Sequence, residues 1–188
     1  MRRILLLAAV AALLLSGCSG KPAPEVPAAA SEHNATDVMF LQMMITQNQQ
    51  GLEMTALAAD RAGREEVKLL AAAIDTTQRA EVGIMRSWLQ GWNEVTAVAP
   101  DPGAHANHGG LPATGPEQIA ALRDTADAGF ETAFLSLLTG HQHAAVEMTQ
   151  LVAAGGVNPE TRDLAQRIKE SRGEQIAQML RLMNGESA

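Results

Sequence analysis

The side chains best suited to chemistry lie in one stretch, Phe130 to Gly156, where His141 and Met148 stand seven residues apart. A helix turns by about 100° per residue, so both share a stripe with Phe134, Leu137, Leu138 and Ala145, and His141 should point inward. Sliding the chain against itself by 94 residues lays Gln47 on His141, and Met43, Met44, Gly51 and Met54 flank Gln47 on the same face. A histidine and an amide among thioethers could hold a soft or borderline ion such as copper. The same residues also make an ordinary core, in which a neutral buried histidine is hydrogen-bonded to Gln47 and the methionines fill space. Both readings stand at this point.

His143 is about 200° round the helix from His141 and cannot join it. It faces Glu147 one turn on, either as half of a surface metal site or as a solvated pair. His105 and His108 are three apart in a glycine-rich stretch with Asp101 and Asn107 nearby. They could close on Cu(II) or Zn(II), or be no more than two solvated side chains. Other chemistries lack their residues. A ferritin-type di-iron centre needs Glu-x-x-His, which does not occur, and Gln78-x-x-Glu81 with its repeat Arg172-x-x-Gln175 is no substitute. There is no phosphate loop, no Gly-x-Ser-x-Gly and no Cys-x-x-Cys. The chain is expected not to be an enzyme.

The elements that must position these residues come from the repeat itself. The shift that pairs Gln47 with His141 also lays Phe40 on Phe134, Glu53 on Glu147, Met54 on Met148, Leu70 on Leu164 and Met85 on Met179, without insertion. Such a period marks a duplication. Thr36-Asp37 offers capping oxygens for a helix that Gly63 closes, and a second helix runs from Arg64 to Trp92 with apolar residues at three- and four-residue steps. The stretch 93–115 is broken by prolines and glycines, and Thr114-Gly115-Pro116-Glu117 has the spacing of a capping box for a short helix reaching Asp127. Phe130 to Gly156 then pairs with a helix opened by Asn158-Pro159-Glu160 and closed by Gly185. Two antiparallel hairpins, each with one apolar stripe, should pack as an all-α four-helix bundle with pseudo-twofold symmetry.

The start of the chain reads differently. Arg2 and Arg3 precede an apolar run ending at Leu15-Ser16-Gly17-Cys18, too short to span a bilayer comfortably and typical of a secretory signal. Those last four residues resemble a lipoprotein cleavage site, so Cys18, the only cysteine, is expected to carry lipid and hold the protein at a membrane surface. Cleavage leaves 12 basic against 21 acidic residues, a net charge of −9, which argues against nucleic acid as a partner. The expected organisation is a signal over 1–17, a lipidated tether over 18–35 that includes His33, and a bundle over 36–185. Within the bundle, repeat one covers 36–92, the connector 93–129 and repeat two 130–185.

The run from Phe40 to Leu89, with Met44-Ile45, Glu53-Met54, Gln78-x-x-Glu81-Val82-x-x-Met85 and Trp88-Leu89, resembles the bacterial domain-of-unknown-function family numbered 305, as does the linker from Gly109 to Leu135. The resemblance covers about 150 residues and implies a ferritin-like bundle, exported and often lipid-anchored, with some members binding copper and linked to copper tolerance. The family's mark is a His-His pair after Met-Ile in the first long helix of each copy. Here the pairs read Gln47-Asn48 and His141-Gln142. Only His141 carries over, with Met44, Met54, Met148, Glu53 and Glu147. Metal binding has then weakened or vanished, or depends on methionines and Cu(I), or has moved to His105 and His108. The functional expectation is an exported copper-binding protein serving homeostasis or tolerance; the alternative is an envelope scaffold or protein-interaction module that has lost the metal.

Overall fold

The computed structural model describes residues 32–97 and 114–186. Among these the chain is entirely helical, with α1 at Ala35–Arg61, α2 at Glu65–Gly91, α3 at Pro116–Asp124, α4 at Asp127–Gly155 and α5 at Pro159–Met183. The long helices form the expected bundle: α1 packs on α2, α4 on α5, and α1 on α4. No helix among the described residues is long and apolar enough to cross a membrane.

Three cross-contacts fix how α1 meets α4. Asn34 Nδ2 donates to the Gly155 carbonyl at 2.8 Å, Gln47 meets His141, and Arg61 pairs with Asp127 at 2.7 Å. Residue numbers rise along one helix as they fall along the other, so the two run antiparallel and cross at Gln47 and His141. Apolar side chains collect on either side of that crossing. One cluster holds Met54, Ile74, Phe130, Phe134, Leu138 and Met179. The other holds Phe40, Met44, Met85, Met148, Val152 and Ile168. Phe40 and Phe134, equivalent in the repeat, are both fully buried, and burying a side chain of this size contributes about 1.5–3 kcal/mol.

The helix ends depart from the sequence expectation in instructive ways. Asn34, not Thr36 or Asp37, caps α1, its Oδ1 accepting from Thr36 N at 2.9 Å and Asp37 N at 3.1 Å. Asp37 returns the bond to Asn34 N at 3.0 Å, and the same Oδ2 reaches across the bundle to Val157 N at 3.1 Å and Asn158 N at 3.2 Å. Its repeat equivalent, Glu131, accepts from Gly63 N and Arg64 N at 2.6 Å each and pairs with the Arg64 guanidinium at 2.7 Å. Each repeat thus lends a carboxylate that clasps the other's hairpin turn. Orphan N–H groups beside a helix start make such a turn a natural anion site.

The connector also differs. Gly115 rather than Thr114 caps α3, with the Gln118 side chain accepting from Gly115 N at 2.8 Å, so the expected box shifts by one residue. The helix stops at Asp124 instead of Asp127, and α4 begins three residues before Phe130. Arg61 explains the break: its guanidinium donates to the carbonyls of Arg123 and Thr125, pairs with Asp127 and lies over the Phe130 ring at 4.2 Å. Carbonyls held by Arg61 are not free to continue the helix. At the far end, Asn158 caps α5 as expected, accepting from Thr161 N at 2.8 Å.

Burial of the Glu131 carboxyl pushes its pKa up, but the Arg64 backbone and side-chain bonds, the Gly63 bond and the Arg64 charge outweigh it and leave it below the usual value. Its clasp therefore holds at neutral pH and is lost as pH falls through that depressed pKa. Asp37 is wholly buried, whereas the Glu131 side chain is partly exposed. Asp37→Ala should cost about 3 kcal/mol and Glu131→Ala about 1–2 kcal/mol, because removing Asp37 strands N–H groups away from water. Urea denaturation of the two variants checks the order; equal costs would mean that the clasps do not act through burial.

Candidate functional site

At the crossing of α1 and α4, polar side chains replace apolar ones on all four long helices. Gln47 and Asn48 come from α1, Gln78 and Glu81 from α2, His141 and Gln142 from α4, and Arg172 and Gln175 from α5. The repeat relates them as four pairs: Gln47 with His141, Asn48 with Gln142, Gln78 with Arg172, and Glu81 with Gln175. All but Gln175 are buried, most of them completely.

Gln47 and His141 meet by exchanging side chain for backbone. Gln47 Nε2 donates to the His141 carbonyl at 2.7 Å, and His141 Nε2 lies 3.0 Å from the Gln47 carbonyl. A carbonyl only accepts, so Nε2 carries the proton and Nδ1 presents a bare lone pair. That lone pair is buried and has no partner. Burial pushes the imidazole pKa down, the bond to the Gln47 carbonyl raises it, and the Arg172 charge lowers it further, to about 4. At neutral pH the ring is uncharged.

A second pairing follows the same symmetry. Asn48 Nδ2 donates to Glu81 Oε2 at 2.8 Å, and Gln142 Nε2 donates to Gln175 Oε1 at 2.6 Å. Arg172 breaks the symmetry. Fully buried where repeat one has Gln78, it sends Nη2 to Asn48 Oδ1 at 3.2 Å and to the Glu81 carboxylate. Arg172 Nε and Nη1 remain unpaired, as do Gln47 Oε1, Gln142 Oε1 and both amide atoms of Gln78. Gly51 makes room for Gln78: a Cβ there would stand 2.3 Å from Gln78 Oε1.

The histidine and glutamine singled out in the sequence are thus brought together. The methionines are not all beside them. Met44 and Met148 share one apolar cluster, and Met54 lies in the other. Met54 and Met148 each follow the crossing by seven residues on antiparallel helices, so they sit about 10 Å from it in opposite directions. His143 and Glu147 are exposed on the outer face of α4, and neither ion pair nor hydrogen bond joins them. His105, His108 and Cys18 lie outside the described residues. His33, assigned to the tether, stacks on Trp92 with ring centroids 4.3 Å apart. Among the described residues no three His, Cys, Asp or Glu side chains gather as a metal cluster. Sequence reasoning set aside Gln78, Glu81, Arg172 and Gln175, although helical phase places Gln78 in line with Ile74 and Met85, and Arg172 with Ile168 and Met179.

Comparison with known proteins agrees with this architecture. The family described as "Domain of unknown function (DUF305)" matches residues 37–183. A crystal structure of a DUF305 protein from Streptomyces coelicolor superposes with a TM-score of 0.73 at 27% identity, covering 81% of this chain and 97% of that one. CopM in its Cu(I)-bound form gives 0.65 at 26% identity, covering 81% and 98%. Its Cu(II)-bound form gives 0.63 at 25%, covering 79% and 97%. No curated protein matches the sequence.

The buried imidazole makes stability depend on pH with a definite sign. The folded pKa, about 4, lies below the ordinary histidine value near 6.5, so the unfolded chain takes up the proton first. The penalty is absent above about pH 6.5 and grows as pH falls toward 4, to at most about 3 kcal/mol. Urea midpoints between pH 7.5 and 4.5 should fall less steeply for His141→Gln, which puts the repeat's own amide at this position, than for the parent. Parallel slopes would show that His141 is not the group being titrated.

Proposed function

The chain belongs to the DUF305 family, and from that premise we propose that it is a non-catalytic, exported and lipid-anchored protein that binds copper for homeostasis or tolerance. One observation carries the proposal: the unpaired, buried Nδ1 lone pair of His141 at the centre of the bundle. A neutral imidazole with a free nitrogen is a ligand already deprotonated and desolvated. Similarity to CopM, solved with Cu(I) and with Cu(II), supports copper as the metal.

The donor chemistry narrows the ion. Cu(II) favours several nitrogen and oxygen donors in a tetragonal array, and the carboxylate of this layer, Glu81, is already engaged by Arg172 and Asn48. Cu(I) accepts imidazole and thioether donors. His141 would supply the nitrogen, and Met43 and Met44, both buried and one helical turn from Gln47, are the thioethers placed nearest by register. Copper bound there supplies no catalytic step; it is stored, buffered or handed on. The Leu15-Ser16-Gly17-Cys18 run supports anchoring through Cys18, which would bring the domain near envelope proteins as partners.

The Arg172–Glu81 pair favours a second reading, because it already gives the layer an internal cation. On that reading the bundle is an envelope scaffold or interaction module without metal.

A competition titration of the purified full chain tests the choice. Cu(I) under reducing conditions should be taken up at about one equivalent by the parent, with the affinity lost in His141→Ala while helicity is retained. Cu(II) uptake lost only in a His105→Ala/His108→Ala double variant would move the site to the connector. A parent that takes up neither ion sinks the copper reading and leaves the scaffold.

A further inference from the structure

The end of the bundle where the chain enters α1 carries a second group of donors, roughly 20 Å along that helix from Gln47. His33 lies between two residues that are themselves held. The Glu32 carbonyl accepts from Asn158 Nδ2 at 2.9 Å, and Asn34 caps α1 while its own Nδ2 reaches the Gly155 carbonyl. The imidazole lies flat on the Trp92 indole, with ring centroids 4.3 Å apart and planes within 5°. Glu94 comes to the same place from the end of α2. Asn93 takes a φ of 60°, a left-handed turn that asparagine tolerates, and Glu94 N then donates back to the Leu89 carbonyl at 2.8 Å. Glu94 Oε1 stands 3.8 Å from His33 Nε2 as a result. Both side chains border one solvent-open pocket with Val38, Met39 and Gln42 of α1.

We propose that His33 and Glu94 form a surface site for a borderline divalent cation, Cu(II) above all, independent of His141. A separation of 3.8 Å is too long for a hydrogen bond. It falls just short of two metal–ligand bonds laid end to end, each roughly 2.0–2.2 Å, so one ion fits between the nitrogen and the oxygen at a bent angle. Imidazole nitrogen and carboxylate oxygen are donors that Cu(II) and Zn(II) share, and Cu(II) binds a given set more tightly. The same pocket offers the Met39 thioether and the Gln42 amide oxygen, the Gln42 Nε2 being committed to the Val95 carbonyl at 2.8 Å. No lysine or arginine lines it, so the Glu94 charge acts on an incoming cation unopposed within the pocket. The His33 and Glu94 side chains are 21% and 41% exposed, and an ion reaches both without any helix moving. A site with two strong protein donors and water around them exchanges its ion readily, which suits capture and transfer rather than storage.

Trp92 makes the site its own reporter, because Cu(II) held by an imidazole stacked on an indole quenches the indole's fluorescence. The test titrates the tag-free full chain with Cu(II) in air, reading tryptophan emission and, against a chromogenic competitor, affinity. His33→Ala and Glu94→Gln should each weaken this uptake at least about tenfold, since even the groups behind a metal ligand are worth that much. Trp92→Phe, which keeps a ring for His33 to stack on, should reduce the quenching and leave the affinity unchanged. His141→Ala and the His105→Ala/His108→Ala double variant should quench as the parent does. Circular dichroism confirms that each variant is folded. Affinity and quenching indistinguishable from the parent in both His33→Ala and Glu94→Gln overturn the site, and so does a parent whose emission Cu(II) leaves unchanged. Cu(I) uptake at His141 is read in a separate titration, so the failure of either site leaves the result for the other standing.

Discussion

The bundle depends on burying a band of polar side chains where α1 and α4 cross. Amides, an imidazole, a carboxylate and a guanidinium taken out of water cost free energy unless each finds a partner, and an unmatched buried charge costs most. Gln47 and His141 meet part of that demand by bonding one another's backbone, which fixes both the separation and the register of the two helices. Asn48 with Glu81 and Gln142 with Gln175 then tie each hairpin internally. The apolar clusters can contribute their stabilisation only in the register that this band allows, since a shift of one turn would set His141 against Met44 or Gly51 instead of Gln47.

The same symmetry operates at the two ends. Asp37 and Glu131 are equivalent in the repeat, and each satisfies the exposed N–H groups of the opposite hairpin turn. Evolution has not kept the ends equal. Asp37 is sealed inside, whereas Glu131 is partly open and reinforced by the Arg64 guanidinium. Duplication supplies the geometry, and substitution after duplication makes each end, and each half of the central band, chemically distinct. Arg172 opposite Gln78 and Glu81 opposite Gln175 are the changes in the band that set a charge against a neutral side chain, and the two charges pair with each other.

Much of this was legible before any coordinates. The 94-residue period gave two hairpins, the three- and four-residue steps gave their buried faces, and the phase of His141 with Phe134 and Met148 placed it inward. Helix starts were less legible: Asn34 outcompetes Thr36 and Asp37 for the cap because Asp37 is wanted by Val157 and Asn158, 120 residues away. The break before α4 was missed for a similar reason, since Arg61 reaches it from another helix. Gln78 and Arg172 sat in plain view on apolar stripes, yet their spacing matched no metal motif and so drew no weight.

By itself, then, the sequence determined what repeats and local periodicity can encode: four long amphipathic helices, their pairing, and which residues face inward. It also supplied the identity of the one histidine buried among the described residues. Only the tertiary structure decided what those inward residues touch. Contacts between helices depend on crossing position and direction, which local spacing does not record. Antiparallel packing of α1 on α4 carries Met54 and Met148 apart, although the repeat makes them equivalent, and the packing of the hairpins brings Arg172, which the spacing of its own helix turns inward, to Asn48 and Glu81. The donor set around a buried lone pair is therefore a property of how the helices cross.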